Sequence, residues 1–326
     1  MIHICLTMSV LDEPANKYDF FNIAHPELEA FGIQQLKAFW WFTDVSLDDD
    51  GRDYDELPLK VQRMLDMTVG FFFAADGIVF DNIGSNFEVE FKDPGVRSTY
   101  TAIKTMEYIH SKSYGLQLDA IIRDPVRKVA LMNSIHTVPA VKAMADWAIK
   151  YTDRTKYSLI DRLIAFLCIE GIFFSAPFAF IFWVRKYYRG KLRGIVGFND
   201  LISKDENLHC EFAIALIKTL MKEGHKSEHG YAIIASAIDV ESRFVDDTLS
   251  EDLADMTSEL MITHIKFVAS FWAKQIGFIF YPEITKTPFE FMDNLSLEMK
   301  TNFFEDTNTI YQHAPPMNIN FTPDFE

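Results

Sequence analysis

Glu107 and His110 in MEYIH, and Glu206 and His209 in DENLH, each place a carboxylate three residues ahead of an imidazole. On a helix that spacing puts both side chains on one face, close enough to hold one ion together. Two more acids sit where charge is out of place, Asp76 in FFFAADGIVF and Glu170 in FLCIEGIFF. A buried carboxylate costs several kcal/mol unless it is paired or metal-bound, and neither helix face offers an obvious Lys or Arg. Each lone acid precedes one Glu–His pair, so four carboxylates and two imidazoles come from four segments. That is the donor set of a carboxylate-bridged dinuclear metal site. Mixed oxygen and imidazole donors suit iron or manganese rather than a thiolate-seeking metal. Tyr114 lies one turn beyond His110, Phe174 and Phe178 lie one and two turns beyond Glu170, and Ile202 lies one turn before Glu206. Apolar side chains converging there would form a dry pocket around a phenol, able to shelter a one-electron-oxidised tyrosine.

The elements that must position these residues read as helices. Helical periodicity dominates, and no recurrent period-two alternation with hairpin turns points to a sandwich or barrel. Pro58 behind Asp55 and Glu56, Pro94 behind Asp93, and Pro125 behind Asp124 mark helix starts, because proline suits the first turn and the acid can accept its free N–H groups. The reading gives helices at about 58–85, 94–122 and 125–151, the last bent at Pro139, and at about 157–189, 199–222, 227–249 and 256–276. The fold class is therefore all-α, a ferritin-like long-helix bundle with the dinuclear site in its core. The expected organisation is an N-terminal segment 1–25, one helical domain 26–304 and a polar, aperiodic tail 305–326.

Composition limits the alternatives. With 49% hydrophobic residues and 30 Phe the chain can build a large aromatic core, and 31 bases against 47 acids give a net charge of −16. Such a charge opposes direct nucleic-acid binding, which depends on Lys and Arg displacing counterions. Cys5, Cys168 and Cys210 show no CxxC or zinc spacing, which fits a reducing, intracellular setting. The first ten residues lack a secretory pattern, so a cytoplasmic location is expected. The stretch 163–184 is apolar and long enough to span a bilayer, yet it carries Glu170 and Pro177 and reads as a helix buried in a bundle, with no membrane involved.

The segments AADGIVFDN, MEYIHSKSY, IEGIFFSAPFAFIFW, LISKDENLHCEFA and SLEMKTNFFED, in this order, resemble the small, radical-generating subunit of class I ribonucleotide reductase, especially its eukaryotic and viral branch. The likeness covers about residues 20–326. It implies metal ligation by Asp76, Glu107, His110, Glu170, Glu206 and His209, a tyrosyl radical on Tyr114, and a shielding pocket of Phe174, Phe178 and Ile202. The expected cofactor is two iron ions, with manganese–iron or two manganese ions as variants, activated by dioxygen and one external electron. The resemblance further implies a radical route through His110, Asp205, Trp40 in KAFWWFTDV and Tyr311 in IYQHAPP. The terminal FTPDFE, with Phe321, Asp324 and Phe325, would dock on a large subunit that holds the ribonucleotide, and two small subunits would pair as a homodimer. Lys204, Phe80, Lys104, Pro177 and the terminal Glu326 depart from the usual family pattern, with Pro177 expected to bend its segment. A non-catalytic paralogue and a stand-alone di-metal oxidase are the competing readings; the lack of any phosphate-binding glycine loop fits a chain that holds no substrate itself.

Overall fold

The computed structural model describes residues 8–249, 251 and 253–292. Tyr311, Phe321, Asp324, Phe325 and the tail that carries them lie outside the described residues. In chain order the helices are α1 (Pro26–Lys37), α2 (Asp50–Asp55), α3 (Leu59–Asn82), α4 (Glu88–Glu90), α5 (Pro94–Ile121), α6 (Pro125–Met132), α7 (Ser134–Thr137), α8 (Pro139–Lys150), α9 (Leu159–Cys168), α10 (Ser175–Tyr187), α11 (Arg193–Lys222), α12 (Gly230–Thr248) and α13 (Ser258–Gln275). No strand occurs among the described residues, in agreement with the all-α expectation.

Two of the three expected proline starts are capped by the preceding acid. Asp93 accepts from the Val96 N–H at 3.0 Å and Asp124 from the Val126 N–H at 2.9 Å, which satisfies donors that a helix start leaves free. The third differs. Pro58 caps α3 with no side-chain bond, and Asp55 instead closes the short α2 and pairs with Arg123 at 2.6 Å. The expected single helix at 125–151 is three helices. Val138, forced extended by the proline after it, separates α7 from α8, and Asn133 breaks α6 from α7.

Helix α1 has no counterpart in the sequence reading. The His25 side chain at its start caps none of the first-turn N–H groups, and Gly32 interrupts its apolar pattern. Packing on α5 explains the glycine: a Cβ at Gly32 would stand 2.8 Å from the Thr99 Cα, so only glycine lets the two backbones meet this closely.

The rod from Leu159 to Tyr187 is the one helical stretch among the described residues long and apolar enough to cross a membrane, and its apolar part, residues 160–184, is buried inside the bundle. Phe166, Phe173, Phe174, Phe180 and Phe182 are all fully buried along it. Each such ring stabilises the fold by about 1.5–3 kcal/mol relative to exposure. The expected bend lies upstream of Pro177. A π turn over Ile169–Phe173 and a break at Phe174 precede α10, and Pro177 then falls in the first turn of a new helix, where its missing N–H costs little.

Candidate metal centre

Four helical segments converge on one buried cluster. Asp76 comes from α3, Glu107 and His110 from α5, Glu170 from the π turn between α9 and α10, and Glu206 and His209 from α11. All six are buried, none more than 2% exposed. The extra residue of a π turn rotates the downstream chain relative to an α-helix, a device common where one side chain must be aimed. Here it accommodates Gly171, whose missing Cβ would stand 2.7 Å from the Trp272 ring and 3.2 Å from Cys210 Sγ. Glycine thus lets α13 and α11 press against the turn that presents Glu170.

The donor atoms form two overlapping groups able to hold an ion, Asp76, Glu107 and His110 in one, and Glu107, Glu170, Glu206 and His209 in the other. Glu107 belongs to both groups. His209 Nδ1 lies 3.0 Å from Glu107 Oε1 and 3.0 Å from Glu206 Oε2, and His110 Nδ1 lies 3.0 Å from Glu206 Oε1.

Both oxygens of Asp76 and Glu170 and Glu107 Oε2 are buried without a hydrogen-bond partner, and Glu107 Oε1, Glu206 Oε1 and His110 Nδ1 have only the imidazole–carboxylate approaches just given. The charges that perturb Asp76 are those of Glu107, His110, Glu206 and His209, all members of the cluster. Polar atoms buried in such number are normally satisfied, and a pair of cations would supply what they lack. The residues therefore fit a dinuclear metal site.

The same geometry dictates protonation. Burial first, and neighbouring carboxylates second, push Asp76 and Glu170 well above the ordinary carboxylate range, and Glu107 is raised for the same reasons. Burial also pushes Glu206 up, but the Glu170 carboxyl and the two histidines outweigh it and hold Glu206 low. Burial disfavours charge on His110 and His209, yet the carboxylates around them raise both well above 6.5. Burial and carboxylate crowding thus favour the protonated forms of Asp76, Glu170 and the two imidazoles, and a bound ion would compete with those protons.

Tyr114 is fully buried one turn from His110 and donates its hydroxyl to Asn199 Oδ1 at 2.9 Å. Asn199 is held in turn, its Nδ2 donating to the Ile195 carbonyl at 2.8 Å and lying 3.3 Å from Gln117 Oε1. The phenol ring lies flat on Phe72, with centroids 4.6 Å apart and planes 5° from parallel. Phe174 and Phe178 reach this pocket through Phe72, at 5.3 Å and 4.9 Å. Ile202 is also buried, on α11. Phe72 escaped the sequence reading although it sits one helical turn before Asp76, which was the available signal.

On the other side of the cluster His110 Nε2 lies 3.0 Å from Asp205 Oδ2. The Trp40 indole N–H donates to that same oxygen at 2.8 Å, and the Trp40 ring stacks on His110 at 5.8 Å. Gln35, a second residue unread in the sequence, donates to Asp205 Oδ1 at 2.7 Å and fixes the carboxylate from α1. The structure therefore joins Trp40, Asp205 and His110 in one contiguous chain of contacts.

Two of the unusual residues meet each other. The Lys104 ammonium stands 4.9 Å from the Phe80 ring centroid and 3.2 Å from Glu88 Oε2. Lys204 is exposed, pointing away from the buried faces of α11 that carry Asp205 and Glu206.

Glu170 and Glu206 also border a cavity of about 50 Å³ with Phe174, Phe178, Trp272 and His264. His264 is buried on α13, its Nδ1 lies 2.8 Å from Thr287 Oγ1, and burial lowers its pKa from 6.5 to about 4. Between those values the unfolded chain binds the proton and the folded one does not, so this group costs nothing above pH 6.5 and destabilises progressively as pH falls to 4. His264→Gln is expected to abolish up to about 3 kcal/mol of that acid-side loss. Urea midpoints measured across this range should fall less steeply for the variant, and parallel curves would refute the assignment.

Residues 17–286 match the family described as "Ribonucleotide reductase, small chain". The chain is 37% identical over 308 residues to the ribonucleoside-diphosphate reductase small chain of Encephalitozoon cuniculi, covering 94% of this chain and 93% of that one. It is 38% identical over 304 residues to the ribonucleoside-diphosphate reductase small chain of Variola virus, with 93% of each chain covered. The fold is also that of the ribonucleotide reductase R2 subunit from Clostridium botulinum, at a TM-score of 0.81 and 21% identity, over 89% of this chain and 94% of that one. With the family's helical bundle in place and a buried carboxylate–histidine cluster inside it, the chain belongs to the ribonucleotide reductase small-chain family.

Proposed function

We propose that this chain is the radical-generating subunit of a ribonucleoside-diphosphate reductase, working with a large subunit that holds the nucleotide. The observation that carries the reading is the set of buried carboxylate and imidazole atoms that lack partners and form two ion-sized groups sharing Glu107. Asp76 and His110 would bind one ion, Glu170, Glu206 and His209 the other, with Glu107 between them. A bound pair of iron or manganese ions would supply, from dioxygen, the oxidising power that no side chain possesses.

The chain's own residues do the rest. Phe72, Phe174, Phe178 and Ile202 keep water from Tyr114, and Asn199 holds its hydroxyl, so a radical formed there is sheltered. Asp205 accepts from Trp40 and lies against His110 Nε2, which gives electron and proton a bonded path from the cluster toward α1. Tyr311 would continue that path, and Phe321, Asp324 and Phe325 would anchor the tail 305–326 on the large subunit, beyond the helical domain 26–304. A homodimer in the cytoplasm completes the proposal.

The test is reconstitution of metal-free protein with ferrous iron and oxygen, followed by electron paramagnetic resonance. A tyrosyl signal together with two bound irons per chain is expected. Full iron loading with no radical would reject the radical role and leave a metal-binding paralogue.

A further inference from the structure

Glu241 is a buried carboxyl that none of the chemistry above uses. It lies on α12, is 0% exposed, and reaches across to the start of α10. Its Oε1 accepts from the Ala176 N–H at 3.1 Å and from Ser175 Oγ at 3.3 Å, while its Oε2 is buried without a partner. Among the described residues no cation accompanies it, and the groups that lower its pKa against burial are Ser175 and Ala176.

The place it touches is mechanically sensitive. α10 has no side-chain cap of its own, and its first turn comes directly after the π turn that carries Glu170 and the break at Phe174. Free N–H groups at a buried helix start need an acceptor. Pro177 removes one such donor, the Phe178 N–H returns to the Phe174 carbonyl at 3.0 Å, and Glu241 takes the Ala176 donor from a neighbouring helix. One turn along α12, Phe244 packs on Phe71 at 5.3 Å, and Phe71 packs on Phe174 at 5.9 Å. α12 thus grips the break twice, by hydrogen bonds through Glu241 and by ring packing through Phe71.

We propose that Glu241 is a positioning residue for the Glu170 half of the metal cluster, fixing the helix break and with it the direction in which the π turn presents Glu170. The inference rests on the two-ion reading above. It predicts an asymmetry: loss of Glu241 loosens the ion held by Glu170, Glu206 and His209, while the ion held by Asp76 and His110 keeps its affinity.

The experiment is a titration of metal-free, full-length protein with manganese(II), following free ion by electron paramagnetic resonance. Wild type should bind two equivalents; if it does not, the two-ion reading fails, independently of Glu241. Glu241→Leu should weaken one equivalent by about tenfold, the scale of losing a group that orients a ligand, and leave the other unchanged. Glu241→Gln keeps the acceptor oxygen and should restore both. Should Glu241→Leu not fold by circular dichroism, Glu241→Asp, whose carboxyl stops one methylene short, is read by the same criteria. Wild-type binding of both equivalents in a folded variant lacking the acceptor, equal weakening of both, or failure of Gln to rescue, would each overturn the proposal.

Discussion

Tyr114→Phe should abolish the radical signal and, with it, nucleotide reduction, while both metal equivalents remain bound. The substitution removes one oxygen from a ring that is fully buried and stacked on Phe72 at 4.6 Å, so the packing that surrounds the ring survives. The hydroxyl and its bond to Asn199 are lost. Asn199 Oδ1 then sits buried without a donor, at a cost of about 1–3 kcal/mol in stability. Phenylalanine cannot release a proton on losing an electron and so cannot store the oxidising equivalent as a neutral radical. Burial and the nearby Asp76, Glu206 and Glu107 carboxyls raise the Tyr114 pKa well above 10, so the hydroxyl carries its proton at rest. Loss of the electron must then be accompanied by loss of that proton. The measurement is paired: spin quantitation after reconstitution, and metal content on the same sample. A radical of undiminished yield in the variant would place the oxidised residue elsewhere, and loss of metal would mean that Tyr114 supports the cluster rather than receives its oxidising power.

The parts of this site that were legible in the sequence are those encoded locally. Glu107 with His110 and Glu206 with His209 are given by helical spacing alone. Asp76 and Glu170 stand out because each is an acid inside an apolar run. The cap at Asp93 is equally local, an acceptor directly before Pro94. The features that were not legible arise between segments distant in the chain. Gln35 and Asn199 are ordinary amides until folding brings them to Asp205 and Tyr114. The π turn at Glu170 has no local signature, since it adds one residue to a run that reads equally well as α-helix. Pro177 carried a true signal, a helix discontinuity, but the break falls at Phe174 because proline is well tolerated in the first turn of the next helix. Helix α1 was hidden for a related reason: Gly32 weakens its pattern, and the close approach to Thr99 that requires the glycine is invisible before α5 is in place.

Trp40→Phe is expected to separate storing the proposed radical from exporting it. The variant keeps an aromatic ring against His110, where the indole now stacks at 5.8 Å, but loses the N–H that donates to Asp205 Oδ2 at 2.8 Å. Asp205 retains Gln35 and His110 as partners, so His110 stays oriented and the metal donors are undisturbed. The expected result is a Tyr114 radical formed in near-normal yield on a fully loaded cluster, with nucleotide reduction in the presence of the large subunit lowered by roughly a hundredfold, the upper range for removing a hydrogen-bond partner from such a network. Asp205→Asn makes the contrast, because it touches both functions. An amide in place of the carboxylate weakens the hold on His110 Nε2, so metal affinity and turnover should fall together. If Trp40→Phe turns over at the wild-type rate while its radical forms normally, the path out of the cluster does not pass through the Asp205–Trp40 bond, and the indole serves only to pack α5 against the loop after α1.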